Sequence, residues 1–399
     1  MNVLVNLPYS LYQTRKAKKF TGPLHFSSML LKSFSKSNNT FTGIVFEKME
    51  KRKNTFFKSR LVKDGKNQWL IFSIWIPTNK IIELKDRKSD PATKIIVEKI
   101  KNAIIETNPD IFFLNGFSAL TFLLLTAVHE IDLTMVVTHH GIWLKEWMAL
   151  RKDLVKKSGI KFRREIEKDT VRFAKKNIFL SKLSLREFEK HLIKVPKNNL
   201  EFITIPYNPT FLNRSYPKKN QGKNLNILFV GRWDAVKNHE AYLAIAKKAH
   251  ELNLPWSFYS VCNIFNYPHY ADIQSDYEKY INVLPTVPAK ELKKIYKMSH
   301  VSIVPSHFDV YPGVVTESLL QNRPAIISPN VGWIDEYIKH GIKHWVADFS
   351  NHNSVIQKIK KISGENVPKS LYNQIVEENN PKYVFKRYHS LFEQLYKGK

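Results

Sequence analysis

Residues 305–328 read PSHFDVYPGVVTESLLQNRPAIIS, and the order of residue types in this stretch decides the fold. The apolar run Val301-Ser302-Ile303-Val304 before it predicts a strand ending at Pro305, and Pro312-Gly313 marks a turn. A helix is expected from about Val314 or Val315. Asp309 then falls in the loop and Glu317, eight residues on, in the first helical turns. Carboxylates at the carboxyl edge of a strand can accept hydrogen bonds from sugar and ribose hydroxyls, and the amides at a helix start can meet phosphate oxygens. An acid in a first helical turn also simply complements the helix dipole, so Glu317 alone identifies nothing.

About seventy residues upstream, the apolar strand ILFV runs into Gly231-Arg232-Trp233-Asp234-Ala235-Val236-Lys237-Asn238 and then into the helical stretch HEAYLAIAKKAHEL. A glycine at a strand end permits a tight turn, the following helix start favours anions, and Arg232 and Lys237 add two cations at the same sheet edge. Together these form a cradle suited to a diphosphate. In a chain this basic, two surface cations near a turn are the plainer alternative.

Working outward, short apolar runs alternate with longer amphipathic stretches along the whole chain. Strands are expected at MNVLVNL, FTGIVFE, WLIFSIWI, DIFFLN, TMVVTH, NIFLS and EFITIP, then at LNILFVG, PWSFYSVC, VSIVP and PAIIS. Helices are expected at HFSSMLLKSF, ATKIIVEKIKNAIIET, LREFEKHL, KELKKIYKMS and around TESLLQN. This alternation indicates parallel sheets covered by helices on both faces. The polar segment NPTFLNRSYPKKNQGKN separates two such series, so two Rossmann-like domains facing a cleft are expected. The boundaries are 1–208, a linker at 209–223, 224–381, and an aromatic amphipathic tail from 382 to 399. The uncharged stretch Ile111–Val128 is broken by Asn115-Gly116 and reads as strand, turn and helix rather than a membrane span.

The chain has 399 residues, long enough for two cores, and one cysteine, Cys262, which excludes an internal disulfide and any multi-cysteine metal site. The start of the chain does not have the pattern of a signal peptide, and a cytoplasmic protein, peripheral at a membrane, is expected. The formal charge is +28, of which +20 lies in residues 1–200. Basic runs include Lys51-Arg52-Lys53 with Lys58, Arg60, Lys63 and Lys66, and Arg151 to Lys176. Such a field attracts anionic lipid surfaces or nucleic acid. Aromatic residues are not interleaved with the basic runs and no recognition motif is present, which argues against nucleic acid. General surface decoration is the alternative to either partner.

The second half resembles the donor domain of family-4 retaining GT-B glycosyltransferases. Gly231, Arg232 and Lys237 match that family's Gly-Arg…Lys turn. Pro305, Ser306, Asp309, Tyr311 and Glu317 match its Pro-Ser-x-x-Glu-x-Phe-Gly-x4-Glu pattern, and Val331-Gly332-Trp333-Ile334-Asp335-Glu336 resembles its Gly-Gly-x-x-Glu turn. Three positions depart from the pattern: Asp309 stands for the usual Glu, Pro312 for a glycine, and Trp333 for the second glycine of the last turn. The likeness implies that Arg232 and Lys237 hold a diphosphate, Glu317 the ribose and Asp309 the transferred sugar. Gly231, Gly313, Val314 and Tyr311 would complete the donor site. In the first half, Phe20-Thr21-Gly22-Pro23 resembles the family's glycine-rich loop after the first strand, which brings Gly22 near the donor. Thr138-His139-His140-Gly141 resembles its Thr-x-His-Gly turn, with His140 the nearer match and His139 the second, either of them a contact to the transferred sugar or the acceptor. A turn histidine satisfied by local groups is the alternative.

The resemblance thus implies a GT-B fold whose last helix crosses back to the first domain, and Asp309, His140, Arg232 and Lys237 as catalytic residues. It implies transfer of a hexose-type sugar from a UDP-sugar or GDP-sugar to a glycan or glycolipid, with no cofactor. No Asp-x-Asp motif for a donor-bound metal is present, so no metal is expected. A catalytically inactive GT-B module that binds nucleotide, glycan or a protein partner is the alternative, and a sugar-nucleotide epimerase would share the architecture.

Overall fold

The computed structural model describes residues 1–7, 22–48, 56–75, 91–118, 120–148, 157–213, 215–218, 224–262 and 268–398. Its first part runs β1 (Asn2–Asn6), α1 (Gly22–Ser35), β2 (Thr40–Lys48), β3 (Phe56–Asp64), β4 (Asn67–Trp75), α2 (Pro91–Glu106), β5 (Ile111–Leu114) and α3 (Thr121–Glu130). It continues with β6 (Met135–His139), α4 (Trp143–Met148), α5 (Lys157–Phe173), β7 (Ala174–Phe179), α6 (Lys182–His191) and β8 (Leu200–Phe202). These strands form one eight-stranded sheet in the order β3-β4-β2-β1-β5-β6-β7-β8.

All pairings in that sheet are parallel except β3 with β4. The parallel strands are buried on both faces, which is why they read as continuous apolar runs. In β5, Phe112 and Leu114 pack under α2, α3 and α5 with Ile100, Leu123 and Ile166, while Ile111 and Phe113 face the opposite layer. That opposite layer is α1 and the last helix of the chain. The antiparallel edge strand β3 was not expected. Its Lys58, Arg60 and Lys63, together with Lys66 in the turn at Gly65 (φ +60°), are exposed on the hairpin, so part of the basic run is an edge strand. A charged edge resists pairing with another chain. Lys51-Arg52-Lys53 and residues 151–156 lie outside the described residues. The stretch 111–128 is β5, a turn at Gly116 (φ +116°) and α3; among the described residues no helix is long and apolar enough to cross a membrane.

The second part runs β9 (Leu225–Val230), α7 (His239–Glu251), β10 (Trp256–Val261), α8 (Pro268–Tyr280), β11 (Asn282–Leu284), α9 (Ala289–Met298), β12 (Val301–Val304), α10 (Gly313–Leu320) and β13 (Ala325–Ile327). It closes with α11 (Ile334–Lys339), α12 (His352–Ile362), α13 (Lys369–Glu378) and α14 (Pro381–Lys397). A five-stranded parallel sheet in the order β11-β10-β9-β12-β13 lies at its centre. The chain leaves β9 toward β10 on one side and returns as β12 on the other. The strand order therefore reverses between β9 and β12, and ligands of open α/β sheets bind at the carboxyl edge of such a switch point.

The two parts are tied at two crossings. Tyr207 N donates to Asn379 O at 2.9 Å, and Asn379 Nδ2 donates to Ile205 O at 2.9 Å. Beyond Asn379, α14 returns to the first sheet, where Val384, Phe385, Tyr388, Leu391 and Phe392 pack on Val3, Phe26, Phe34 and Val136. Tyr388 Oη lies 3.1 Å from Thr138 Oγ1. The aromatic spacing of the tail is thus a helix face covering the first domain.

Candidate donor site at the cleft

Gly231 follows β9, and a left-handed Asn238 (φ 56°) ends the short turn Ala235–Lys237 before α7. Asp234 caps that turn, its Oδ1 accepting from Lys237 N at 3.2 Å, and Asn238 Oδ1 accepts from Ala241 N at the head of α7. The loop after β12 is stitched to the same turn. His307 N donates to Val236 O at 2.8 Å, and Asn238 Nδ2 to Pro305 O at 3.2 Å. These contacts bring the two motifs together: Lys237 Nζ lies 2.5 Å from Asp309 Oδ2, with the two side chains 21% and 14% exposed. Arg232 is the exposed partner, 3.2 Å from Asp234 Oδ2 and free to turn toward a ligand. Buried His239 holds the turn from beneath, its Nε2 3.0 Å from Arg232 O and its Nδ1 3.1 Å from Tyr277 Oη. Burial pushes its imidazole down to about 4, so it is a neutral brace.

Helix α10 begins at Gly313, one residue earlier than the range expected, with Pro312 as the residue before it. Glu317 is half-buried and its Oε2 accepts from the Tyr296 hydroxyl at 3.0 Å. Burial pushes its carboxyl up to about 7, against that hydrogen bond. The same Tyr296 hydroxyl reaches the Val314 carbonyl at 3.3 Å. Tyr311 is not a side-chain contact of the site. It is 6% exposed, its ring lies 4.7 Å from that of Trp333, and its hydroxyl accepts from Asn379 Nδ2 at 3.2 Å. Trp333, standing at the position of the family pattern's second glycine, fills the core behind the loop at 1% exposure. Gly332 is required by close approach, since a side-chain carbon there would run into the Val310 carbonyl and the Ser181 hydroxyl. Ser306 Oγ is buried with no hydrogen-bond partner among the described residues.

The carboxyl edge of the first sheet faces this loop. Ser181, which caps α6, donates from its hydroxyl to Val310 O at 2.7 Å, Lys145 Nζ stands 4.3 Å over the Phe308 ring, and Arg186 pairs with Asp335 at 3.0 Å. Of the two histidines after β6, His139 is fully buried, with Nε2 3.1 Å from Asn177 Oδ1 and its ring stacked 4.4 Å from Phe179. It offers no surface to a ligand. His140 is half-buried at the edge, with Nε2 2.7 Å from Asn115 Oδ1 and its ring against Phe26 at 4.8 Å. Burial pushes both imidazoles down to about 4, with each other's proximity adding to the effect on His140. Gly22 is the first residue of α1, while Phe20 and Thr21 lie outside the described residues.

Two site residues were missed in the sequence. Asp234 pairs with Arg232 and caps the turn that carries Lys237, and it was legible only as part of a turn. Glu146, on α4, lies within electrostatic range of Asp309, Arg232, Lys237 and Asp234 across the cleft. Nothing local in Trp143-Leu144-Lys145-Glu146 marks it, because its neighbours are distant in sequence.

Two parallel sheets with facing carboxyl edges, a double crossing and a returning terminal helix define the GT-B architecture. Residues 213–382 match the model of the family described as glycosyl transferases group 1. Among solved structures, a sucrose-phosphate synthase from Thermosynechococcus elongatus is similar over 100% of both chains, with a TM-score of 0.75 at 13% identity. An E. coli trehalose-6-phosphate protein bound with UDP-2-fluoro glucose is similar over 99% of each chain, with a TM-score of 0.66 at 13% identity. Anabaena HepE in complex with UDP is similar over 98% of this chain and 99% of its own, with a TM-score of 0.61 at 11% identity. No curated protein matches by sequence.

Proposed function

We propose that the protein is a retaining glycosyltransferase that moves a hexose-type sugar from a UDP-sugar or GDP-sugar to a glycan or glycolipid, without a metal. The observation that carries this reading is the contact between Lys237 and Asp309, 72 residues apart in sequence, beside Gly231 and Arg232 at the carboxyl edge of the second sheet. It is supported by the UDP ligands of two proteins of the same fold.

Arg232 and Lys237 would carry the charge that grows on the departing diphosphate, with the amides at the head of α10 adding donors. Lys237 would then exchange part of its contact with Asp309 for phosphate oxygens, leaving Asp309 to accept from sugar hydroxyls. Glu317, held by Tyr296, would accept from the ribose hydroxyls. The acceptor would attack from the face the diphosphate leaves, a phosphate oxygen taking its proton, so no side chain need form a covalent intermediate. His140 lines the opposite edge of the cleft, where sugar or acceptor would lie. The exposed cations of the β3–β4 hairpin fit an anionic membrane surface carrying a lipid-linked acceptor.

Thermal stabilisation by UDP, GDP and ADP and their common sugar conjugates tests the donor site. A ligand at about a hundred times its dissociation constant adds about 2.7 kcal/mol of apparent stability. A shift with one base that is lost in Arg232→Ala is the expected result. No shift with any nucleotide would refute the donor site and leave a GT-B module that binds something else. Vesicle flotation with and without anionic lipid tests the membrane surface, and binding insensitive to lipid charge and salt would remove it.

A further inference from the structure

We propose that Glu146 is the first domain's contribution to the donor diphosphate subsite, its carboxyl donating a hydrogen bond to a phosphate oxygen from the side of the cleft opposite Arg232 and Lys237. The inference rests on the nucleotide-sugar reading above and assigns a residue that lies outside the motifs on which that reading was built.

The geometry begins with α4, a short helix whose placement is over-determined. Fully buried Glu167 on α5 accepts from Trp143 N at 2.7 Å and from Leu144 N at 2.9 Å, and the Arg163 guanidinium stands 4.6 Å from the Trp143 ring. Lys145 is drawn aside to Glu187. Glu146, next along, folds back over the His140-Gly141 turn. A side-chain carbon on Gly141 would collide with its carboxyl oxygen, so the glycine leaves room for the acid. The carboxyl makes no hydrogen bond and no ion pair among the described residues, although Arg232 and Lys237 are both in electrostatic range. An acid that is mostly buried, in range of two cations and paired with neither, is placed for a ligand between them.

A carboxylate facing a diphosphate would be repelled by it, so the group must bind as the neutral acid. The environment already favours that form. Burial first, then Asp309 and Asp234, push Glu146 up to about 7, against the opposing pull of Arg232 and Lys237. Glu167 on α5, itself pushed up to about 8 by burial, is mostly the neutral acid near pH 7, and His139 and His140 of the adjacent turn are held neutral. An incoming diphosphate adds negative charge to this set and drives protonation to completion. The proton comes from solvent, so donor binding and proton uptake are linked.

The test is calorimetric titration of the full chain with UDP-glucose, GDP-mannose and ADP-glucose, whose diphosphate diesters do not titrate near neutrality. Running it in two buffers of different ionisation enthalpy reads the protons taken up. At pH 7, wild type should take up about half a proton. Its affinity should fall about fiftyfold between pH 7 and pH 9, as the protonated fraction falls from about one half to about one hundredth. Glu146→Gln keeps a donor and cannot titrate, so it should bind with no proton uptake and change less than about threefold over that range. Glu146→Ala should show the same flat profile at about ten- to hundredfold weaker affinity at pH 7. Proton uptake and pH dependence that persist unchanged in both variants would overturn the assignment, as would a wild type that binds with a flat profile. Failure of all three donors to bind would instead overturn the donor-site reading itself.

Discussion

Replacing Lys237 with alanine separates its contact with Asp309 from its proposed role toward a diphosphate. In the free protein it neutralises Asp309 at 2.5 Å, with side-chain exposures of 21% and 14%. That burial lies between an exposed pair, contributing about 0–1 kcal/mol, and a fully buried one, whose breakage costs about 3–5 kcal/mol. A loss of about 1–3 kcal/mol follows. For a domain of about 150–250 residues this lowers Tm by roughly 2–12 °C. In the proposed transfer step the same ammonium would face the departing diphosphate, and loss of one such donor would slow turnover by about 10²–10³-fold. The double variant Lys237→Ala, Asp309→Asn removes the stranded carboxylate and should recover most of the lost stability. It should recover none of the turnover. The assay is thermal melting beside release of the nucleoside diphosphate from whichever donor stabilises the wild type. Turnover within about threefold of wild type in the single variant, or activity restored together with stability in the double, would refute the assignment.

Three further outcomes follow from contacts elsewhere. Gly332→Ala forces a methyl group against the Val310 carbonyl and the Ser181 hydroxyl at the point where the domains meet. It should cost about 1–3 kcal/mol in a denaturant melt, and an unchanged midpoint would contradict the close approach. Burial pushes Glu167 up to about 8 against its two backbone hydrogen bonds. Its folded value lies above the unfolded one, so the native state binds the extra proton, and this contribution to stability is present below about pH 4.5 and lost as pH rises through about 8. Glu167→Gln should therefore flatten the decline in stability between pH 5 and pH 8, and an equally steep decline would show the wrong group was chosen. Truncation after Asn380 strips the cover from Val3, Phe26 and Phe34, and with five buried side chains lost at about 1.5–3 kcal/mol each, the first domain should not fold on its own. A soluble truncated chain with native circular dichroism would disprove that the tail is part of the core.

What the amino-acid sequence determined by itself was whatever local periodicity and turn chemistry encode. The parallel strands were legible because both their faces are buried, as with Phe112 and Leu114 on one side of β5 and Ile111 and Phe113 on the other. The break at Asn115-Gly116, the turn at Gly231 and the loop carrying Asp309 ahead of Glu317 were legible from their glycine, proline and asparagine punctuation. The edge strand β3 was not, because a one-sided strand rich in lysine and arginine reads as a solvated run. Tertiary structure alone decided which candidates meet. Tyr311 turned into the core against Trp333, and His139 against Phe179, since burial depends on what packs from the rest of the chain. Glu146 became part of the cleft because α4 is pinned by Glu167 and lies opposite a loop more than a hundred and fifty residues away. A carboxyl's role is set by the charges around it, and those charges are brought together by folding and not by adjacency along the chain.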